Sequence, residues 1–245
     1  METVDVVIIT KNSERLLNAC VKSVYENVPL KRLIVVDAFS TDNTLKIFDE
    51  FDKKYGNIKV ITETGSRGKA RDRGIREVET DWFMFVDSDA VLCKDWFKKA
   101  SRHIQKDVGA IWGVSIEGDV KNKFMLKILR WMATRTFNIR GCCKDILIRY
   151  DAVKDIQVPS ELHTLEDAYI KEWIIAKNYK VIVSYAAYCR HYKTLGNLLS
   201  KENIMSTINE LKNMSLVKER LVYAPVFALV WFLVEANQKI RRRGV

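Results

Sequence analysis

The chain has 245 residues, of which 48% are hydrophobic and only 10 are glycine and 3 proline, so it can bury a large core and is not expected to be disordered. Its 41 Lys and Arg residues against 31 Asp and Glu residues give a formal charge of +10, which suits an anionic ligand or surface. The five cysteines show no Cys-x-x-Cys spacing, and three histidines are too few for a histidine-built zinc cluster, so we expect reduced, mostly buried thiols. Because the first residues lack the basic region and cleavage site of a secretory signal, we expect a cytoplasmic protein.

Short apolar runs alternate with stretches of helical periodicity along the first ~190 residues, which is one domain of ordinary size. This alternation predicts strand–helix–strand units around a largely parallel sheet. A first helix should follow the first strand with Asn12 or Ser13 as its cap, a second should start near Asp42, and a third should cover residues 69–78. The predicted strands are residues 4–10, 32–37, 58–62, 82–87, 110–116 and 180–185.

Polar clusters follow three of these strands. They are Thr10-Lys11-Asn12, Asp37 with Ser40 and Asp42, and Asp87-Ser88-Asp89. Ligands of an open parallel sheet bind beyond the carboxyl ends of its strands, so we expect the three clusters to open onto one crevice. For Ser40 and Asp42 themselves, helix capping is the favoured explanation, because Ser and Asp are preferred capping residues.

Asp87 and Asp89 stand one residue apart at the end of an apolar strand. Carboxylate oxygens placed in this way can hold a divalent cation, which can in turn bind a diphosphate. Strands also end in Asp at ordinary turns, so the meaning of this pair depends on the residues around it.

The segment 65–74 combines glycines with four cations near a predicted helix start, which favours binding of a phosphate. Gly65 and Gly68 have part of the spacing of a dinucleotide loop. That loop should follow the first strand, where this chain has no glycine, so the dinucleotide interpretation is poor. Lys69 and Arg73 fit a solvated helix face equally well.

Five segments in order, residues 6–12, 34–44, 68–74, 85–89 and 166–167, resemble the inverting family 2 glycosyltransferases of GT-A fold. The resemblance covers most of the chain, from about Val4 to His191. It implies an α/β fold: a GT-A-type single domain with a mostly parallel, Rossmann-like central sheet flanked by helices, plus a C-terminal helical tail. The catalytic domain would be residues 1–194, with a nucleotide-sugar half at about 1–90 and an acceptor half at about 91–194, and the tail would be residues 195–245.

The resemblance implies a nucleotide-sugar donor, a UDP- or GDP-sugar, in the crevice. An Asp carboxylate at position 37 can accept the ring N–H of uracil or guanine, and Arg71 can stack on or bond to a base or phosphate. The expected nucleotide-sugar-binding residues are Thr10, Asn12, Asp37, Arg71, Asp87 and Ser88.

The resemblance also implies a divalent cation, Mn²⁺ or Mg²⁺, held by Asp87 and Asp89. His191 falls where many GT-A enzymes supply a histidine to the metal or the diphosphate; the alternative is a structural or exposed histidine. In the family, the cation neutralises the charge that develops on the diphosphate as the sugar departs.

Glu166 and Asp167 open a helical segment, where acidic residues also interact favourably with the helix dipole. By resemblance Asp167 is the catalytic base, because inverting transfer requires one carboxylate to take the proton of the acceptor hydroxyl. If the acceptor is a lipid phosphate, its oxygen is already an anion, and Asp167 would only position it.

The chain departs from the common family pattern at Ala38, where many members carry a second Asp, and at Phe39, where many carry Gly. The resemblance therefore implies that one polar contact to the nucleotide is absent and that a bulky ring lies near the base. Residues 141–150 fall where the family places an acceptor-site loop and strand; the adjacent Cys142 and Cys143 are unusual there and are expected to be buried.

The last part of the chain is the most basic. From Arg190 onward there are ten basic and four acidic residues, which carry +6 of the net charge. The apolar run 223–234 is shorter than the ~20 residues that span a bilayer. We predict that it contacts the inner face of an anionic membrane peripherally, near a polyprenyl-phosphate-linked or glycan acceptor. The alternative is that it packs on the catalytic domain or on a second copy in a homodimer.

Two other function classes compete with glycosyl transfer. A nucleotidyltransferase acting on sugar phosphates would share an α/β fold and paired metal carboxylates, but the Glu166-Asp167 helix counts against it. A non-enzymatic basic protein that binds membrane or nucleic acid would explain the charge but not the ordered acidic positions. We expect no nucleic-acid partner, because no recognised binding motif is present.

Overall fold

The described part of the chain is an eight-stranded sheet with helices on both faces. A computed structural model describes residues 3–117, 126–127, 130–131, 143–163 and 165–192. The strands are β1 (Val4–Thr10), β2 (Leu30–Asp37), β3 (Ile58–Thr62), β4 (Trp82–Val86), β5 (Ala90–Leu92), β6 (Val108–Glu117), β7 (Asp145–Arg149) and β8 (Lys180–His191). The helices are α1 (Glu14–Asn27), α2 (Thr44–Tyr55), α3 (Arg67–Arg76), α4 (Trp96–Ala100) and α5 (Glu166–Ala176), with 3₁₀ turns at Ser101–His103 and Tyr150–Ala152.

The strand order is β3-β2-β1-β4-β7-β6-β8-β5. Strands β3, β2, β1 and β4 are parallel to one another, and β6 is parallel to β8. The pairings β4–β7, β6–β7 and β5–β8 are antiparallel. The predicted α/β fold with a mostly parallel central sheet is therefore confirmed. The predicted tail, residues 195–245, lies outside the described residues.

Two apolar cores lie on opposite faces of this sheet. Val6 and Ile8 of β1 belong to one core, while Val7 between them belongs to the other. The central strands are buried on both faces, which is why they are continuous apolar runs in the sequence. The four cysteines among the described residues, Cys20, Cys93, Cys143 and Cys189, are buried, as expected, and Cys142 lies outside those residues.

The capping prediction for α1 needs correction. Ser13 occupies the N-cap position, but its side chain does not cap the helix. Its hydroxyl instead lies 2.9 Å from that of Ser88. The N–H of Glu14 donates to Asp42 Oδ2 at 3.1 Å, so the cap comes from the loop after β2.

The next two helices begin within two residues of the predicted positions. Helix α2 begins at Thr44, near Asp42 as predicted, and Asp42 Oδ1 accepts the Thr44 N–H at 3.0 Å. Helix α3 begins at Arg67 rather than Lys69, because the Ser66 side chain accepts the Lys69 N–H at 3.1 Å and caps the first turn. The capping explanation for Asp42 therefore holds.

Two glycines let α3 approach its neighbours closely. A Cβ on Gly74 would lie 2.4 Å from Val7 Cγ1, and one on Gly68 would lie 2.5 Å from the Pro159 carbonyl oxygen. The Gly68 N–H also donates to the Leu162 carbonyl at 2.8 Å. Helix α3 is thereby fixed against both β1 and the loop before α5.

Candidate active site

The acidic pair lies in the turn between β4 and β5, beside the end of β8. Because β5 pairs with β8, His191 is placed opposite Ala90. His191 Nε2 lies 3.0 Å from Asp89 Oδ1, and the imidazole is almost fully buried. Asp87, Asp89 and His191 each offer a ligand atom within 4.8 Å of the others. The three residues of the predicted metal set are therefore together in the fold.

Asp87 also pairs with a buried arginine. Arg71 Nη2 donates to Asp87 Oδ1 at 2.6 Å, and the guanidinium lies 4.6 Å from the centre of the Phe85 ring. Burial would raise the pKa of Asp87, but the charges of Arg71 and His191 outweigh it and lower that pKa to about 2. Asp87 is therefore ionised at neutral pH.

Arg71 has further donor atoms besides the one that binds Asp87. Burial would lower its pKa, but the Asp87 charge opposes burial and the pKa is raised above its ordinary value. Its Nε and Nη1 atoms are buried and have no hydrogen-bond partner among the described residues. Unpaired donors of this kind are costly, so they are candidates to bind an anionic ligand.

The donor set suits a hard divalent cation. Carboxylate oxygens are the ligands that Mg²⁺ and Mn²⁺ prefer, and imidazole is a common ligand of first-row transition-metal ions, the class to which Mn²⁺ belongs. A set of three protein ligands leaves coordination positions for phosphate oxygens. Asp87, Asp89 and His191 therefore fit the cation that the sequence predicts.

The loops after β1 and β2 lie against each other at the same edge of the sheet. Thr10 and Asp37 are register partners, and the Asn12 N–H donates to Ser40 Oγ at 2.9 Å. Asn12 Oδ1 in turn accepts the Thr41 N–H at 2.8 Å. Since Ser13 in the first loop contacts Ser88, all three polar clusters meet at the carboxyl ends of the adjacent strands β2, β1 and β4, where the sequence predicts the crevice.

Asp37 lies at the bottom of the β2 loop. It is fully buried, and its carboxylate accepts the Ser40 N–H at 2.8 Å and the Ser40 hydroxyl at 2.5 Å. Thr10 Oγ1, next to it, is buried without a hydrogen-bond partner among the described residues. Thr10 and Asp37, two of the six residues that the resemblance assigns to nucleotide-sugar binding, are thus adjacent, and Ser40 orients the carboxylate.

The exposed cations of α3 have surface partners instead. Lys69 pairs with Glu63 at 2.8 Å, and Arg73 pairs with Glu77 at 2.8 Å. Both side chains lie on a solvated helix face, which was the alternative to phosphate binding for these two residues. Arg71 is the cation of this helix whose side chain is buried at Asp87.

Glu166 and Asp167 begin α5. Asp167 is half-buried, and its Oδ1 accepts the N–H of Ala168 at 2.8 Å. Burial and the Asp167 charge raise the pKa of Glu166 to about 7, while Arg71 and Arg67 act in the opposite direction. These interactions place the start of α5 near the α3 side of the crevice.

Two residues of the site were not predicted as site residues from the sequence. Ser13, which the sequence indicated only as a possible helix cap, bridges to Ser88, and its signal is its position directly after the Thr10-Lys11-Asn12 cluster. Asp145 begins β7 opposite Val86, fully buried, and its Oδ2 accepts the Trp96 indole N–H at 2.8 Å. Burial raises its pKa to about 7, although the Trp96 and Cys189 hydrogen bonds lower it. The signal for Asp145 in the sequence is an Asp at the start of an apolar run.

The model of the family "Glycosyl transferase family 2" matches residues 5–153, more than half of the chain. The chain belongs to this family. A poly(ribitol-phosphate) beta-glucosyltransferase of Bacillus spizizenii is 32% identical over 133 residues, 49% of this family 2 chain and 21% of that protein. The Staphylococcus aureus poly(ribitol-phosphate) beta-N-acetylglucosaminyltransferase TarS is 32% identical over 120 residues, 46% of this chain and 21% of TarS. The chain thus spans about a fifth of the length of these curated relatives.

Solved structures of other glycosyltransferases share the fold. S. aureus TarS in complex with UDP-GlcNAc has a TM-score of 0.65 at 24% identity, over 89% of this chain and 69% of that one. The mannosyltransferase PcManGT of Pyrobaculum calidifontis, in complex with GDP-Man and Mn²⁺, has a TM-score of 0.61 at 18% identity, over 80% of this chain and 58% of that one. The GT-A-type fold is therefore established. Within the residues that the structure describes, no helix is long and apolar enough to cross a membrane.

Proposed function

We propose that this chain transfers a sugar from a UDP- or GDP-sugar to a glycan or polyprenyl-phosphate-linked acceptor, with inversion at the anomeric carbon. The observation that carries the proposal is the convergence of Asp87, Asp89 and His191 at the crevice that the β1 and β2 loops line. Family membership supports sugar transfer over nucleotidyl transfer and over a purely binding role.

The donor would lie along this crevice, with its nucleoside toward the β1 and β2 loops and its diphosphate toward the acidic pair. Thr10, Asn12 and Asp37 would contact the nucleoside, and Arg71 would use its two unpaired donors on the base or a phosphate. The UDP-GlcNAc bound by TarS and the GDP-Man bound by PcManGT are donors of the two classes we propose.

Asp87, Asp89 and His191 would hold Mn²⁺ or Mg²⁺. When bound, the cation supplies positive charge that stabilises a departing diphosphate. Arg71 keeps Asp87 ionised, as a metal ligand must be, and the near-complete burial of His191 fixes its ring beside Asp89. Mn²⁺ in the PcManGT complex is consistent with this choice.

Asp167 would be the base. The acceptor oxygen attacks the anomeric carbon on the face opposite the diphosphate, and the bond between that carbon and the diphosphate oxygen breaks with its electron pair. Asp167 would take the proton that the acceptor hydroxyl loses. For an acceptor that is already a phosphate anion, no proton needs to be removed and Asp167 would only position it.

We propose residues 1–194 as the catalytic domain, with the nucleotide-sugar half at about 1–90. The tail 195–245 would bring the domain to the inner face of the cell membrane, where a lipid-linked acceptor lies. Its support is the sequence alone: ten basic residues against four acidic ones from Arg190 onward.

The test is release of UDP or GDP from a panel of nucleotide sugars, with and without acceptor, in Mn²⁺, Mg²⁺ or EDTA. We expect release from one donor, stopped by EDTA, and an NMR spectrum of the product with the opposite anomeric configuration to the donor. A product that retains the donor configuration would contradict inversion. Absence of release from every donor, together with absence of nucleotide binding, would contradict sugar transfer.

A further inference from the structure

Phe39 has a backbone conformation that bulky residues rarely adopt. Its φ is +55°, in the left-handed region that favours glycine. Its side chain is 58% exposed, so it gains little from apolar burial. Neither the local backbone nor the packing of the fold explains a phenylalanine at this position, and strained residues of this kind cluster at ligand sites.

The backbone on both sides of Phe39 is held firmly. The Ala38 N–H donates to the Thr10 carbonyl at 2.9 Å, and the Ser40 N–H donates to Asp37 at 2.8 Å. Ser40 Oγ also accepts the Asn12 N–H at 2.9 Å. The ring is therefore presented to solvent from a fixed loop at the mouth of the crevice, which lowers the entropy lost when a ligand binds it.

The position of this loop suits the base end of a nucleotide. Strand β1 lies between β2, which carries the Phe39 loop, and β4, which leads to Asp87. Two strand spacings correspond to about 10 Å. A nucleoside can bridge such a distance when its diphosphate lies at the acidic pair, and this leaves the base at the β2 loop.

We propose that the Phe39 ring stacks on the face of the donor nucleobase. This inference rests on the proposed nucleotide-sugar function and adds a binding residue to it. Every base has a π-face, so Phe39 contributes affinity to uracil and guanine alike. Discrimination between bases is left to hydrogen-bonding groups such as Asp37, whose carboxylate Ser40 orients.

The test compares Phe39→Gly, which removes the ring and suits a positive φ, with Phe39→Tyr, which keeps an aromatic face. Val60→Ala is the control, because Val60 is also an exposed apolar residue, at 47%, but lies on edge strand β3. Binding of UDP, GDP and pyrophosphate is measured by calorimetry in Mn²⁺, and the melting temperature of each variant is recorded.

We expect Phe39→Gly to lower the affinity for the nucleotide that the wild type binds by roughly 5- to 100-fold. Loss of base–aromatic stacking has an effect of this size. Pyrophosphate affinity should not change, and the melting temperature should rise because the backbone strain is relieved. Phe39→Tyr and Val60→Ala should bind the nucleotide as the wild type does.

Unchanged nucleotide affinity in Phe39→Gly would overturn the inference. So would equal weakening of nucleotide and pyrophosphate, because the whole loop would then be disturbed rather than a contact to the base. A wild-type protein that binds neither UDP nor GDP would instead overturn the proposed function, and this inference with it.

Discussion

The Arg71 guanidinium donates a 2.6 Å hydrogen bond to Asp87, and this pair joins helix α3 to the acidic end of β4. Asp87 and Asp89 are 27% and 35% exposed, but Asp87 is paired with the guanidinium of Arg71, which is always charged and is nearly fully buried, whereas Asp89 contacts the imidazole of His191. The two aspartates therefore differ in role. Asp87 neutralises a buried cation as well as offering a metal ligand, whereas Asp89 stands at the more exposed side.

We predict that Asp87→Asn lowers the free energy of unfolding far more than Asp89→Asn. The first change leaves the Arg71 charge buried without a counter-ion, which costs about 3 kcal/mol. The second removes a partly exposed partner and should cost less than about 1 kcal/mol. Urea denaturation of the two variants measures the difference, and equal losses would show that the Arg71–Asp87 pair is not structurally important.

We predict that Asp167→Asn lowers kcat by about 10²- to 10⁴-fold on a hydroxyl acceptor, because no carboxylate then takes its proton. The affinity for the donor nucleotide should stay unchanged. Steady-state kinetics and nucleotide titration measure the two effects separately. The matched control is Asp155→Asn, which removes an exposed carboxylate that pairs with Lys177. Full activity of Asp167→Asn would limit this residue to positioning and would favour a phosphate acceptor.

We predict a pH-dependent contribution of Asp145 to stability. Its pKa is raised by burial from 3.8 to about 7, so the folded state holds this proton more tightly than the unfolded chain does. Its contribution is therefore fully present below about pH 4 and is lost as the pH rises to about 7. The free energy of unfolding of the wild type should fall relative to that of Asp145→Asn over this range, by about 1–4 kcal/mol.

The control in that comparison is the variant itself, because Asn is of similar size and can still accept the Trp96 indole hydrogen bond. Carboxylates that do not interact with Asp145 titrate in the same way in both proteins and cancel from the difference, and Asp87, whose charge does act on Asp145, stays ionised from pH 4 to pH 8 because its pKa is about 2. A difference in stability that does not change between pH 4 and pH 8 would show that Asp145 has an ordinary pKa.

We predict that Gly74→Ala destabilises the protein by about 1–3 kcal/mol, although alanine is the better helix former. The new methyl group would lie 2.4 Å from Val7 Cγ1. A double-mutant cycle with Val7→Ala isolates this contact, since Gly74→Ala should cost less when Val7 is already truncated. Additive effects would show that α3 has room to move away from β1.

The sequence predicted the bounds of β1 and β3 to the residue, because short β-branched runs flanked by polar residues are unambiguous. It did not predict β5 or β7 from periodicity. Strand β5 has three residues, and β7 pairs between β4 and β6 in antiparallel fashion, which the order of elements along the chain does not indicate.

The sequence could name candidate site residues but not the contacts between them. Asp87, Asp89 and His191 could be named from motifs, and they lie together. The Arg71–Asp87 pair and the cap that Asp42 gives to Glu14 join residues 16 and 28 positions apart, which only the folded chain reveals. The same holds for Phe39, whose positive φ cannot be inferred from its residue type.

The most direct test of the proposed site is calorimetric titration of UDP and GDP in the presence of Mn²⁺, with wild type and Asp89→Asn. Asp89 is the better choice than Asp87, whose loss also leaves Arg71 unpaired. Asp49→Asn, an exposed surface carboxylate paired with Lys53, is the control. We predict that one nucleotide binds the wild type and the control in a metal-dependent way and binds Asp89→Asn at least ~10-fold more weakly, a loss of about 1.4 kcal/mol. Absence of nucleotide binding with and without metal, or binding undiminished in Asp89→Asn, would contradict the proposed metal-dependent donor site.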